Sequence, residues 1–226
     1  TANVTVGLTS SNTAEGTVSP SSVTFTSADW GTPQTVTVTG VDDFLIDGAV
    51  AYTIVTAAAT SADTNYNGVN PPDWPVTATI KAASGITVTP PPGLTTTEAG
   101  GTATFTVVLT SQPTATVTVG VGSSNAAEGT VSPSSVTFTS GNWNTPQTVT
   151  VTGVDDFLVD GVVGYTIVTA AATSSDLNYS GLNASDVSVT NTDNDAAGIT
   201  VTPTSGLTTT EAGGTATFTV VLTSQP

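Results

Sequence analysis

The chain has 226 residues and a net charge of −16, with 17 acids against one cation, Lys81, and no Cys, Met or His. This composition excludes disulfides, Cys- or His-based zinc and copper sites, and Ser–His or Cys–His nucleophiles. Phosphate binding needs clustered Lys and Arg, so no nucleic acid is expected as a partner, and with no apolar run near the length of a span, no membrane insertion either.

Thr is the commonest residue, 51 in all, and charged residues make up only 8%. Thr and Val are β-branched and favour strands. In chain order, period-2 alternation predicts strands at 102–109, 115–119, 136–139, 148–152, 165–168, 187–190 and 198–202, each bounded by Gly, Pro, Ser or Asn. Val149 and Val151 should face a core, with Thr148, Thr150 and Thr152 on the solvent side. No stretch carries a 3.6-residue period. About seven short strands per hundred residues is the count of an immunoglobulin-like sandwich, so the expected class is all-β.

The two halves repeat. Residues 1–113 align without a gap on residues 114–226, and 88 of 113 positions agree. The run GLTTTEAGGTATFTVVLTSQP occurs unchanged at 93–113 and 206–226. Differences concentrate at 71–82, where PPDWPVTATIKA stands over ASDVSVTNTDND at 184–195. A tandem array with a period of 113 residues and one specialised junction accounts for this. The junctions fall near 82–84 and 193–197. The expected domains are therefore a sandwich over 1–84 lacking its first two strands, a complete sandwich over 85–197, and the first two strands of the next sandwich over 198–226.

These residues resemble the Calx-beta domains, immunoglobulin-like sandwiches of sodium–calcium exchangers and of large bacterial surface proteins. Thr97-Glu98-Ala99-Gly100 and Thr210-Glu211-Ala212-Gly213 match the family's opening strand. Val154-Asp155-Asp156-Phe157-Leu158-Val159-Asp160-Gly161 matches its middle segment, and Asp193-Asn194-Asp195 its closing acids. Two positions depart from the pattern: Val163 stands for a second middle acid and Asn194 for a third closing Asp. The resemblance implies a Ca²⁺ site built from Glu98, Asp155, Asp156, Asp160, Asp193 and Asp195. Ca²⁺ takes six to eight oxygen ligands, and this chain offers its clustered acids almost no cation to pair with. The first repeat keeps Asp42, Asp43 and Asp47 but has Lys81 opposite Asn194. The Lys81 ammonium is expected to replace the metal among those three acids.

The remaining features have plainer readings. Trp30 and Trp143 precede Thr-Pro-Gln and are expected to plug the core, while Trp74 lies among prolines at the specialised junction, placed to pack on a neighbouring domain. The adjacent pair Asp155-Asp156 lacks a supporting cleft motif, so no enzyme is expected. Exposed threonines are candidate O-glycan acceptors; three N-glycosylation sequons (at Asn3, Asn178 and Asn183) carry little weight. The resulting expectation is a structural repeat unit of an extracellular fibre or surface stalk. Its partners are further copies of itself, head to tail, with residues 198–226 of one unit completing residues 1–84 of the next. The alternatives are a repeat region of a calcium-dependent bacterial adhesin and an accessory domain of a secreted enzyme.

Overall fold

The computed structural model describes residues 2–226, and among them only strands, turns and loops form. The chain divides into two compact units, Thr1–Ser84 and Gly85–Pro226.

The first unit contains β1 (Val4–Ser10), β2 (Gly16–Ser19), β3 (Ser22–Phe25), β4 (Thr37–Gly40), β5 (Val50–Thr56), β6 (Thr60–Ser61) and β7 (Trp74–Ala78). One sheet runs β3-β1-β5-β7, with β6 also on β1; β2 and β4 form a separate pair. All these pairings are antiparallel. Its buried apolar centre is small: Leu8, Tyr52 and Ile54, with Val18, Val23, Val36, Val76 and Ala78 packed partly against them.

The second unit opens with β8 (Ile86–Thr89), β9 (Thr95–Thr97) and β10 (Thr102–Leu109). It continues with β11 (Val117–Ser123), β12 (Gly129–Ser132), β13 (Ser135–Phe138), β14 (Gln147–Gly153), β15 (Val162–Thr169) and β16 (Val187–Thr192). Two sheets, β12-β14-β10-β8 and β13-β11-β15-β16-β9, share one core. Phe105, Val107, Val149 and Val151 enter it from the first sheet; Val119, Phe138, Ile167 and Val189 enter from the second. Val149 and Val151 are buried on β14, while Thr148 is exposed and Thr150 and Thr152 are half-buried on the other face, as alternation requires.

The opening segment departs from the two expected strands. Pro90-Pro91-Pro92 supplies no backbone donors, and Gly93 turns the chain at φ +65°, a conformation disfavoured for side chains with a Cβ. The chain thus leaves β8 in one sheet and re-enters as β9 in the other, parallel to β16, before crossing back as β10. The four-residue β12, set between turns, was likewise not expected from alternation.

Residues 198–226 form β17 (Ile199–Thr202) and β18 (Thr219–Leu222), an antiparallel pair with Ile199 opposite Leu222 and Val201 opposite Val220. The β8–β10 pair has the matching register, Ile86 opposite Leu109 and Val88 opposite Val107. The two pairs differ in what covers them. Phe105 is 1% exposed in the core, whereas Phe218, the same residue of the same sequence, is 59% exposed. Leu207, Ile199, Val220 and Leu222 are exposed as well.

Candidate functional sites: acidic clusters and an open strand groove

Three groups of carboxylates converge, with one ligand oxygen from each residue lying within 4.8 Å of the others in its group. They are Glu98, Asp155 and Asp195; Glu128, Asp156 and Asp160; and, in the first unit, Glu15, Asp43 and Asp47. Five of the six acids expected at one site are thereby sorted between two groups. Asp155 and Asp156, adjacent in sequence, serve different groups, as their opposite aim along an extended segment dictates. Phe157, at φ +65°, and Gly161, at φ +81°, turn the loop that carries Asp160 back towards Asp156. The Asp156 carboxylate accepts from the Leu158 N–H at 2.9 Å, which fixes its start.

Asp193 belongs to neither group. Its two oxygens accept backbone N–H bonds, from Gly161 at 2.9 Å and from Asp195 at 2.6 Å. Those bonds hold its carboxyl below the ordinary range, and they tie the closing acids to the middle loop. Asp193 therefore positions the loop.

Glu128 and its counterpart Glu15 were missed by the sequence reading. Both are almost fully buried, and each precedes a glycine in an Ala-Glu-Gly turn retained in both repeats. A Glu kept in both copies at the start of a strand was the available signal. Asn191 donates to Glu128 at 3.4 Å and to the Val154 carbonyl at 3.2 Å, bridging the second group to the core.

The electrostatics of the first group are those of an uncompensated anion cluster. Burial pushes the Glu98 carboxyl up, and Asp193, Asp156 and Asp160 push it further against a single opposing bond from the Asn194 N–H at 3.2 Å. Burial, then Asp155, Asp193, Asp156 and Asp160, raise Asp195 in the same way. Asp195 Oδ2 is buried and has no hydrogen-bond partner among the described residues. Glu15 is raised by burial, then by Asp47 and Asp43. These residues could hold a hard dication, which would take several carboxylate oxygens at once and give Asp195 Oδ2 a partner.

Lys81 stands with Asp42, not with the whole acid set. Its Nζ donates to Asp42 Oδ2 at 3.1 Å, an exposed pair, and this bond together with the Phe44 N–H lowers Asp42. Asp43 and Asp47 turn instead to Glu15. A pair this exposed contributes little to stability by itself.

The second site is a groove along the first unit. Two adjoining concavities, which share Val38 and Val76, form it, and a third opens elsewhere on the same unit. Of the adjoining two, one of about 390 Å³ lies among Leu8, Val36, Val38, Ile54 and Trp74, and one of about 520 Å³ among Glu15, Asp42, Tyr52 and Lys81. The third, of about 390 Å³, lies among Phe25, Trp30 and Tyr66. Most apolar wall residues have counterparts that are buried in the second unit, where residues 85–113 pack. Val151, paired with Ala103 of β10 beside it, is 0% exposed, and Val38, with no such neighbour among the described strands on that side, is 39% exposed. Tyr179, 0% exposed, exchanges three hydrogen bonds with Ser111, whereas Tyr66 is 53% exposed. A Cβ at Gly153 would collide with the Thr97 carbonyl and with Asn191 Oδ1, whereas one at Gly40 would meet nothing within 4 Å. Trp143 packs against the core, but Trp30 is 77% exposed and plugs nothing. In the second unit the Leu109 N–H bonds to the Trp143 carbonyl, and no described strand does this for Trp30.

No family model matches the chain, and no curated protein matches it. Among solved structures it is similar to domains 4 and 5 of the S-layer protein SbsC, at 19% identity over 83% of this chain and 75% of that one, with a TM-score of 0.36. A second SbsC structure, domains 4–9, gives 20% identity over 88% and 24%, with a TM-score of 0.36. WR4, a C. elegans MSP family member, gives 13% identity over 50% and 99%, with a TM-score of 0.31.

Proposed function

We propose that the chain is a structural repeat unit of an extracellular fibre or surface stalk, built from tandem immunoglobulin-like, Calx-beta-like sandwiches, and that it performs no catalysis. Successive units join head to tail by strand complementation: residues 198–226 of one fill the groove on residues 2–84 of the next. The reading is the same whether those units are separate chains or lie along one longer polypeptide. The observation that carries it is a mismatch of burial at identical sequence. Residues 93–113 are seated on a groove, residues 206–226 repeat them letter for letter with their apolar side chains exposed, and a matching groove stands open. Burying each large apolar side chain contributes roughly 1.5–3 kcal/mol. The β17–β18 pair already holds the register it needs, which lowers the ordering cost of docking.

In this reading Ca²⁺ is held in the second unit by Glu98, Asp155 and Asp195 and by Glu128, Asp156 and Asp160. It neutralises the acids where the closing loop leaves the sandwich and stiffens that loop. The solvent-side threonines of β14 are acceptors for O-linked glycans, and an intact mass above that of the polypeptide would register them.

Gly40→Val tests the joint. The added side chain has space in the first unit but occupies the place of the incoming backbone. Sedimentation of the purified chain should show concentration-dependent polymers, and Gly40→Val should leave a folded monomer. A parent chain that stays monomeric at every concentration would falsify the proposal.

A further inference from the structure

We infer that the joint between units is latched by an ion pair, Glu211 of one copy against Lys81 of the next, and so forms without the divalent cation that the equivalent internal contact takes. The inference rests on the strand-complementation reading and concerns its chemistry.

The second unit shows where Glu211 would arrive. Its counterpart Glu98 is 3% exposed, has its own N–H bonded to the Thr192 carbonyl, and accepts from the Asn194 N–H. Around it stand Asp155, Asp193 and Asp195, with no side-chain cation. In the first unit the equivalent positions are Asp42, Ile80 and Ala82, with Lys81 in place of Asn194. Two acids are lost and one cation gained at the point where a buried carboxylate is due. Burying a lone carboxylate is costly, and a hydrogen-bonded ammonium offsets that cost. Lys81 already lies 3.1 Å from Asp42 Oδ2, on the wall of the concavity into which residue 211 would enter.

A second observation points to the same wall. The differences between the repeats concentrate at 71–82, and this segment, β7 with the residues after it, lines the groove from Trp74 to Ala82. Trp74 replaces Val187, which is buried in the second unit, and stands 67% exposed beside Leu8 and Val38. Large aromatic anchors and single charged pairs are what joints between separate partners favour over continuous cores. The wall is thus adapted for a strand pair that arrives from elsewhere, with Trp74 as anchor and Lys81 as latch.

Two end-blocked chains isolate one joint. Gly40→Val closes the groove and keeps the donor strands; Phe218→Asp blunts the donor and keeps the groove. Mixed, they can form only a one-to-one dimer, whose Kd is read by sedimentation in chelator and in excess Ca²⁺. The dimer should persist in chelator. Lys81→Asn on the groove chain should weaken it in chelator about tenfold or more, and Glu211→Gln on the donor chain should recover most of that loss, because no charge is then buried alone. The triple change Ile80→Asp, Lys81→Asn, Ala82→Asp should make the dimer depend on Ca²⁺. A parent dimer that dissociates in chelator, or a Lys81→Asn dimer with the parent Kd, overturns the latch and leaves strand complementation standing. Absence of any dimer overturns both.

Discussion

The same residue does different work in the two units, and Tyr179 and Tyr66 show it most simply. The Tyr179 hydroxyl is buried and exchanges hydrogen bonds with Ser111, from 2.6 to 3.1 Å. Tyr179→Phe leaves a buried N–H and hydroxyl unpaired and should cost the second unit about 1–3 kcal/mol in denaturant titration. Tyr66→Phe should leave the monomer unchanged and weaken only the joint. Asp29 offers a pH counterpart. The Thr26 N–H and hydroxyl donate to its carboxylate at 2.5 and 2.8 Å and hold it below the ordinary range. In the second unit Asn142 accepts the same two bonds from Thr139 without a charge. A carboxyl depressed by folding stabilises above its unfolded value, and that stabilisation is lost as pH falls through the folded one. The first unit should therefore lose stability below about pH 4, and Asp29→Asn should flatten that limb of its melting profile.

At the scale of elements, alternation of Val and Phe with Thr was enough to place six of the nine strands between residues 86 and 192, because each has one face in the core and one in water. The short β9 and β12 were not legible. β9 holds no apolar residue and β12 only Val131, so neither alternates, and β9 exists because Pro90-Pro91-Pro92-Gly93 diverts the chain to the other sheet. The acids were legible as a set and not as a partition: the turns at Phe157 and Gly161 bring Asp160 to Asp156 and not to Asp155, and Glu128 joins from a distant loop. The expected encirclement of Lys81 by three acids reduces to one contact with Asp42, since Asp43 and Asp47 lie with Glu15. The close crossing of β9 over Gly153 was invisible in the sequence, because Gly40 and Gly153 sit in the same sequence context. Gly153→Ala forces Thr97 or Asn191 to move and should lower the second unit's melting temperature by several degrees. Gly40→Ala should be silent in the monomer.

For the whole molecule, two units of unequal core predict two thermal transitions in calorimetry. The lower one belongs to the first unit, and it should climb with protein concentration, because a joint that forms only with the folded groove stabilises it by mass action. The upper one should fall when a chelator is added, by an amount that corresponds to about 2.7 kcal/mol if Ca²⁺ had been present at 100 times its Kd. Asp195→Asn should blunt that response, and an upper transition blind to chelator removes Ca²⁺ from the second unit.

The open groove and the exposed β17–β18 pair belong to different parts of one chain and cannot be exchanged for each other. Any fibre joined through them has two unlike tips, one offering a groove and the other a strand pair. Growth at the two tips is then chemically distinct and separately stoppable. A chain with its groove closed can still dock by its strands and leaves no site for the next, so it acts as a terminator at one tip only. Mixed in small proportion with intact chains, such terminators shorten the fibre as their share rises, without altering a single interior joint.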